Sequence, residues 1–403
     1  MSQQENIKNG SAAGPRVLIL PSWWYPNRNA PFSGLFVRRQ AEAIAAFCPT
    51  AVLFVTPDPF QRTRREIVST VENGLPTVRV YFRPASASPW GVLYNSLHFM
   101  AAAAAGRRAL PVPFQNPDLI HVQITPPVGL ILFLRFFWRQ ASLVFSEHWS
   151  KYLLPRRWEN PLRKWFIKRF IARCASVTTV SKALARGLQA HGLKAPRWQI
   201  IGNPVNPDVF FPPAGKTCKN GQLTTILHVS FLTEIKKADG IVRAMAILAR
   251  RRPNVRLLVV GDGPTRPQCE KLARDLGLFD DVIFFLGTLP EADVAATMRQ
   301  SDILVLFSEI ETFGCVAAEA LASGLAVVST PTAVAEFLPL ESGILVPFGD
   351  EQALASALEK MVDLRPAFDS SRGCRVVRER FAPMEIGRRF YNLFQEVVTE
   401  TKA

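Results

Sequence analysis

Two carboxylates on either side of a Phe-Gly turn form the strongest chemical pattern in the sequence. Glu311 and Glu319 lie eight residues apart in the segment ETFGCVAAE. The apolar run 303–307 predicts a buried parallel strand, and the Ala- and Leu-rich segment 315–323 predicts a helix. Gly314 would let a ligand approach the first turn of this helix, whose free N–H groups attract anions. One carboxylate could then accept two ribose hydroxyl groups and the other could reach a sugar, which indicates a nucleotide-sugar site.

Such a site needs a scaffold of parallel strands. Short apolar runs recur along the chain, and most are separated by enough residues for a helix. They predict strands at 17–20, 51–55, 78–82, 119–122, 143–145, 177–180, 225–229, 256–260, 282–285, 303–307, 326–329 and 344–346. This alternation is typical of βα units. We therefore predict two facing doubly wound α/β domains, with ligands bound in the cleft beyond the carboxyl ends of the strands.

The length of the chain also indicates two domains. Its 403 residues exceed what one hydrophobic core usually holds. A Pro-rich stretch followed by the polar segment GKTCKNG predicts a linker at 206–222. We expect Rossmann-like domains at 16–205 and 223–382, a disordered tail at 1–15, and a last helix within 383–403.

The cysteines and the N-terminus indicate the compartment. The six cysteines lie far apart and match neither a C-x-x-C nor a zinc spacing, at positions 48, 174, 218, 269, 315 and 374. They are typical of reduced thiols in the cytosol. The N-terminal segment is polar and has no apolar signal-peptide core, so secretion is not expected.

Charge divides sharply along the chain. Residues 1–212 hold 26 Lys and Arg against 9 Asp and Glu, a net charge of +17, and residues 213–403 hold 22 against 24, a net charge of −2. No zinc-finger, RNP or KH-like pattern supports nucleic-acid binding. Large apolar residues alternate with the basic ones, as in Arg156-Arg-Trp158 and in 163–173. This favours contact with an anionic membrane surface.

The segment 161–174 predicts a two-sided helix capped by Asn160. Its apolar arc comprises Phe166, Ile167, Phe170, Ile171 and Cys174, and its basic arc comprises Lys164, Lys168, Arg169 and Arg173, with Trp165 among them. The apolar arc can be ordinary core while the basic arc contacts a membrane, so both interpretations stay open. The apolar segment 128–138 is too short to span a bilayer and carries Arg135.

The pattern from Glu311 to Glu319 resembles the E-x7-E motif of the family 4 retaining glycosyltransferases, which have the GT-B fold. Further segments fall in the order that this family would place them. The opening segments 17–27 and 31–40 are similar to those of bacterial exopolysaccharide and capsule transferases, 200–210 resembles the segment that leads into the second domain, and 261–264 and 285–287 match turns near the nucleotide. The resemblance covers roughly residues 17–395.

The resemblance implies roles for particular residues. His148 and Glu311 would act on the transferred sugar, and Lys236 would neutralise the donor diphosphate. The remaining donor-binding residues would be Gly34, Leu286, Phe313, Gly314, Cys315 and Glu319. Each has a plainer interpretation: Lys236 as a solvated lysine, Gly34 as a turn glycine, His148 as a core histidine. The arginine that the family usually carries upstream of the lysine is missing, and Phe231 or Thr233 takes its place.

The family resemblance implies a hexosyltransferase-type reaction with retention at the anomeric carbon. The first domain would bind the acceptor and the second the nucleotide-sugar donor, with the last helix packed back on the first domain. No Asp-x-Asp motif follows a strand, so no metal or other cofactor is expected. We expect a lipid-linked glycan acceptor at the inner face of the cell membrane. Two alternatives remain: a nucleotide-sugar epimerase of the same fold, and a non-catalytic sugar-nucleotide-binding membrane scaffold.

Overall fold

The computed structural model describes residues 14–84, 89–155, 160–213 and 223–402. Most of the predicted tail, the cluster Arg156-Arg-Trp158 and the second half of the predicted linker lie outside these ranges. The chain forms two compact units. The N-terminal unit comprises Met1–Pro204 and Pro383–Ala403, and the C-terminal unit comprises Val205–Ala382.

The N-terminal unit is built on an eight-stranded sheet. Its strands are β1 (Val17–Pro21), β2 (Thr50–Pro57), β3 (Arg65–Glu72), β4 (Leu75–Phe82), β5 (Leu119–Gln123), β6 (Ser142–Glu147), β7 (Ser176–Thr179) and β8 (Trp198–Ile200). Their order is β3-β4-β2-β1-β5-β6-β7-β8, parallel except for β3. Strands β2 to β4 lie on one side of β1, and strands β5 to β8 lie on the other side. The sheet therefore reverses direction between β1 and β5, where doubly wound folds bind ligands.

Six helices accompany these strands in sequence. They are α1 (Leu35–Ala45), α2 (Pro89–Ala109), α3 (Val112–Gln115), α4 (Val128–Phe137), α5 (Pro161–Arg173) and α6 (Lys182–Ala190). Asn160 caps α5 by accepting hydrogen bonds from the backbone N–H groups of Leu162 and Arg163. Ile167, Phe170 and Ile171 are buried as the predicted apolar arc requires.

The C-terminal unit is a second doubly wound sheet. Its strands are β9 (Thr224–Val229), β10 (Val255–Val260), β11 (Ile283–Gly287), β12 (Ile303–Leu306), β13 (Ala326–Ser329) and β14 (Gly343–Leu345). All are parallel, in the order β11-β10-β9-β12-β13-β14. The point of reversal lies between β9 and β12. The helices are α7 (Ala238–Arg251), α8 (Arg266–Asp275), α9 (Glu291–Gln300), α10 (Cys315–Ala322), α11 (Glu351–Leu364) and α12 (Ser371–Phe381).

The last helix, α13 (Pro383–Lys402), returns to the N-terminal unit and packs on α1. A Cβ atom on Gly387 would lie 2.1 Å from the carbonyl oxygen of Ala43, so only glycine allows this close helix contact. Phe390, Phe394 and Val397 are fully buried on one face of this helix.

The sequence-based fold is confirmed, with two omissions in the N-terminal sheet. Every predicted strand exists within a few residues, and the two-domain α/β architecture is correct. The first is the antiparallel strand β3, which forms a hairpin with the predicted strand β4 and turns at Asn73 and Gly74, both with positive φ. An Asn-Gly pair between alternating residues is a strong hairpin signal, so the sequence contained it. The short strand β8 was also not predicted. No helix within the described ranges is long and apolar enough to cross a bilayer.

Candidate functional site

The C-terminal unit places an ion pair at its point of reversal. Lys236 follows β9 and Glu311 follows β12, and the lysine Nζ lies 2.5 Å from the glutamate Oε1. Both side chains are partly buried, at 20% and 13% exposure. The hydroxyl of Ser308 donates a second hydrogen bond to the same carboxylate oxygen, at 2.8 Å. Two predicted site residues are therefore in direct contact at the edge where such sheets bind ligands.

Backbone contacts hold the two loops of this pair together. The N–H of Glu309 donates to the carbonyl of Ile235 at 2.8 Å, which joins the loop after β12 to the loop after β9. Lys237 adopts a left-handed conformation with φ of 49°, so the chain turns sharply after Lys236 into α7. Left-handed backbone at a non-glycine residue is uncommon and is often found at functional sites.

A buried histidine lies beside the ion pair. His228, at the end of β9, contacts the carbonyl of Val305 through Nδ1 at 2.9 Å and the hydroxyl of Ser230 through Nε2 at 2.8 Å. Burial lowers its pKa to about 4, and the charge of Lys236 acts in the same direction. The ring is therefore neutral near pH 7, so no second positive charge is buried close to Lys236.

The E-x7-E segment adopts the predicted turn and helix. Gly314 precedes α10 with φ of 85°, and a Cβ there would lie 2.5 Å from a methyl group of Val334. Glycine is therefore required at this position. Cys315 is the first residue of α10 and is half-buried, and Glu319 lies one turn further and is largely buried.

Phe313 has a packing role that the sequence did not reveal. Its ring is buried against Phe337 at 5.3 Å and Phe381 at 5.0 Å between centroids. Only its backbone remains for the predicted donor contact. Leu286, at the end of β11, is 42% exposed at the carboxyl edge of the sheet. Phe231, one of the two residues in place of the missing arginine, is 67% exposed beyond β9.

In the N-terminal unit the corresponding edge carries Gly34 and His148. Gly34 starts α1 with φ of 68°, and a Cβ there would lie 2.3 Å from the carbonyl oxygen of Trp24. The glycine thus lets the start of α1 pack directly on the loop after β1. The ring of Phe36, two residues later, lies 4.7 Å from the His148 ring. The two predicted residues are therefore linked through this aromatic contact.

His148 is buried and neutral. It is 5% exposed, and neither ring nitrogen has a hydrogen-bond partner among the described residues. Burial lowers its pKa to about 3. His121 is fully buried on β5 between Phe390 and Phe394 and contacts the hydroxyl of Ser146 at 2.6 Å, so its role is structural.

The residue that sequence reasoning missed is Glu147. It is fully buried at the end of β6, directly before His148, and both of its carboxylate oxygens accept hydrogen bonds. Burial raises its pKa. A carboxylate inside a strand that is otherwise apolar or hydroxylated, next to a candidate histidine, was the available signal.

Two further observations concern metals and thiols. The described residues contain no group of three or more His, Cys, Asp or Glu side chains that could hold a metal ion. Five cysteines are free thiols, at positions 48, 174, 269, 315 and 374, and Cys218 lies outside the described residues.

Comparison with protein families agrees with this architecture. A family model described as Glycosyltransferase Family 4 matches residues 33–209, and a model described as Glycosyl transferases group 1 matches residues 224–363. The first match lies in the N-terminal unit apart from its last residues, and the second lies in the C-terminal unit.

Curated relatives and solved structures give the same result. The chain is 38% identical over 152 residues to D-inositol 3-phosphate glycosyltransferase of Corynebacterium kroppenstedtii, covering 35% of this chain and only 33% of that protein. It is 24% identical over 336 residues to N-acetyl-alpha-D-glucosaminyl L-malate synthase of Bacillus anthracis, covering 80% and 86%. The crystal structure of Anabaena HepE in complex with UDP-glucose superimposes with a TM-score of 0.71 at 17% identity, covering 95% of this chain and all of that one.

The two family models, one matched to each Rossmann-like unit, identify the protein as a glycosyltransferase with the GT-B fold. The chain belongs to family 4 of these enzymes.

Proposed function

We propose that the protein is a retaining, hexosyltransferase-type enzyme that moves a sugar from a nucleotide-diphosphate sugar to a lipid-linked glycan in exopolysaccharide or capsule assembly. The observation that carries this proposal is the contact of Lys236 with Glu311 at the point of reversal in the C-terminal sheet. A lysine held there meets the diphosphate of a donor, and a carboxylate beside it meets the sugar.

The ion pair also suggests how the donor enters. Glu311 neutralises Lys236 in this structure, and a diphosphate would take over that lysine as a stronger anionic partner. Glu311 would then be free to accept hydrogen bonds from sugar hydroxyl groups. Glu319, on α10, would accept the ribose hydroxyls. The complex of Anabaena HepE with UDP-glucose supports a nucleotide-sugar donor, and UDP is the first nucleotide to test.

Retention would proceed by front-face attack. The acceptor hydroxyl would approach the anomeric carbon on the same face from which the nucleotide diphosphate departs. Glu311 is held by Lys236 and Ser308, which suits an orienting group better than the nucleophile of a double displacement. The departing phosphate would help to deprotonate the acceptor, and Lys236 would stabilise its developing charge. We propose that no metal ion takes part.

The N-terminal unit supports a membrane-bound acceptor. From residue 119 to residue 207 the only acidic residues are Glu147, which is buried, and Glu159. On α5, Lys168, Arg169 and Arg173 are exposed beside Trp165, which is 49% exposed. A surface with exposed cations and aromatic rings fits an anionic lipid surface at the inner face of the cell membrane.

Thermal-shift titration with UDP, GDP and ADP tests the donor part. A transferase with this site should be stabilised by one of the three, by about 2.7 kcal/mol at a ligand concentration one hundred times Kd. Turnover should require an acceptor, which separates the transferase from an epimerase. Absence of stabilisation by all three nucleotides would contradict the proposal.

A further inference from the structure

We propose that Glu147 is a positioning residue whose buried carboxylate joins the loop after β5 to the loop after β6 and thereby fixes His148. The proposal rests on the proposed transferase function and on the role that the family resemblance implies for His148, contact with the transferred sugar, whereas Glu147 would act only through His148.

Glu147 receives four donors on two oxygen atoms. Oε1 accepts from the backbone N–H groups of His148 at 2.8 Å and Trp149 at 2.9 Å. Oε2 accepts from the N–H of Thr125 at 3.1 Å and from the Thr125 hydroxyl. The Tyr152 hydroxyl lies 2.6 Å from the Thr125 hydroxyl and completes the chain of hydrogen bonds.

This arrangement requires a carboxylate and not merely a polar side chain of the same shape. A carboxylate offers only acceptors, so it can serve all four donors at once. In glutamine an NH₂ group replaces one of the two carboxylate oxygens. This NH₂ group would face either the N–H of Thr125 or the N–H groups of His148 and Trp149. In either orientation two donors would face each other in a buried space, where an unmet donor is costly.

The same network reaches the loop after β1. Ile124, before Thr125, has a φ of 69°, which is unusual for a β-branched residue. Its carbonyl accepts from the Ser22 hydroxyl at 2.7 Å, and the carbonyl of Thr125 accepts from the Trp23 indole at 2.8 Å. Glu147 is thus the centre of hydrogen bonds that connect three loops at the point of reversal of the N-terminal sheet.

His148 depends on this network because its own ring makes no hydrogen bond among the described residues. The ring is held by Phe36 and by the backbone that Glu147 fixes. Burial alone lowers the pKa of His148, and His148 in turn helps to lower the pKa of His121, which is also buried and neutral. If the loop loosened, the imidazole would become more solvated and its pKa would return toward the ordinary value of about 6.5.

NMR of the full-length protein tests the proposal. The carbon-bound imidazole signal of His148 is assigned with His148→Gln and then followed from pH 4 to pH 8 in Glu147→Gln. The parent signal should not titrate in this range. In the variant it should move and titrate with a midpoint between about 5 and 7, while kcat falls about 10- to 100-fold and the Kd for UDP changes less than 2-fold.

Matched variants make the result specific. Asp118→Asn removes a carboxylate that pairs with Arg16 just before β5, at the opposite edge of the same sheet, and should leave the His148 signal unchanged. Thr125→Val removes one of the four donors and should shift the signal in the same direction by a smaller amount. Thr125→Ser keeps the hydroxyl donor and should give the parent His148 signal. If Glu147→Gln does not fold, the pair at Thr125 decides the question.

An unchanged His148 signal and titration in a folded Glu147→Gln or Thr125→Val protein would overturn the positioning role. Failure of the proposed function would look different. In that case the signal would move as expected, which supports the positioning role, but His148→Ala would transfer sugar at the parent rate.

Discussion

Both units are doubly wound sheets of mostly parallel strands, but they present different chemistry at the carboxyl edges of those sheets. In the C-terminal unit the point of reversal carries the ion pair of Lys236 and Glu311, both partly exposed. In the N-terminal unit the carboxyl edge carries a neutral, buried histidine directly after β6, next in sequence to a buried carboxylate. The formal charge of the sequence also differs, since residues 1–212 are strongly basic and residues 213–403 are slightly acidic.

This difference shows that the fold fixes the location of the site while local residues fix its task. A lysine paired with a carboxylate can exchange that partner for an anionic ligand. A buried neutral imidazole attracts no anion, but its ring nitrogens can form hydrogen bonds with a hydroxyl group. The C-terminal edge is thus suited to an anionic ligand and the N-terminal edge to a neutral one.

The largest expected effect is on turnover. Glu311→Ala and His148→Ala should each lower kcat by about 10²- to 10⁴-fold, because they remove interactions made mainly in the transition state. Nucleotide affinity should be kept in both, and Glu311→Ala should bind UDP as tightly or more tightly, because Lys236 loses its competing partner. Steady-state kinetics and calorimetry measure the two quantities. Glu309→Ala, an exposed neighbour, serves as the control. A parent rate in either variant would remove that residue from the site.

Membrane binding should depend on the N-terminal unit alone. Changing Lys164, Lys168, Arg169 and Arg173 to glutamine should weaken flotation with anionic liposomes, because each basic residue near the surface contributes about 1 kcal/mol. Binding should also weaken in high salt and be absent with neutral liposomes.

The control changes Lys360, Arg372, Arg375 and Arg378, which are equally charged and exposed on the C-terminal unit. Equal binding to neutral and anionic liposomes would contradict the proposed contact with an anionic membrane but not the proposed transferase activity.

Acid should destabilise the N-terminal unit through its histidines. The pKa values of His121 and His148 are lowered to about 3, so their contribution to stability is present above pH 6.5 and is lost as the pH falls toward 3. As the pH falls through that window, each histidine lowers the free energy of unfolding by about 1.4 kcal/mol per pH unit. Glu147, whose pKa is raised, has the opposite sign and offsets part of the loss.

His121→Asn should therefore reduce the slope of the free energy of unfolding against pH by about 1.4 kcal/mol per pH unit between pH 6.5 and 4.5. Urea unfolding followed by tryptophan fluorescence measures this in the N-terminal unit alone, because all eight tryptophans lie outside residues 205–382. His228→Asn, in the other unit, should leave the tryptophan-detected slope unchanged. A slope that responds equally to both substitutions would mean that the units do not unfold separately.

Nucleotide binding should depend on the carboxylate of Glu319 in the C-terminal unit. Glu319→Ala should raise the Kd for UDP about 10- to 100-fold, because the ribose hydroxyls lose charge-assisted hydrogen bonds of roughly 1.5–3 kcal/mol. Glu341→Ala, an exposed carboxylate of the same unit, is the control. Unchanged affinity in Glu319→Ala would refute the assignment of the ribose site.

The smallest expected effect is that of chelation. Turnover after dialysis against EDTA should stay within about 2-fold of the untreated rate, since Lys236 carries the charge that a metal would otherwise supply. A loss that Mg²⁺ or Mn²⁺ restores would show that the diphosphate needs a cation besides Lys236.

The sequence could predict what depends on local pattern. Apolar runs placed almost every strand, and the glycine at 314 with the helix after it was visible in the E-x7-E segment. The contact between Lys236 and Glu311 joins residues 75 positions apart, so it follows from strand order and not from spacing. Glu147 was missed because its four donors come from two different loops, and no pattern along one strand contains them.

The path of the chain through the two units has a consequence for synthesis. The C-terminal unit is one continuous segment, Val205–Ala382, whereas the N-terminal unit needs α13 from the end of the chain. Phe390 and Phe394 of that helix enclose His121. The second unit emerges whole from the ribosome while the first still lacks part of its core. The N-terminal unit therefore completes its folding last, against the usual order of domains.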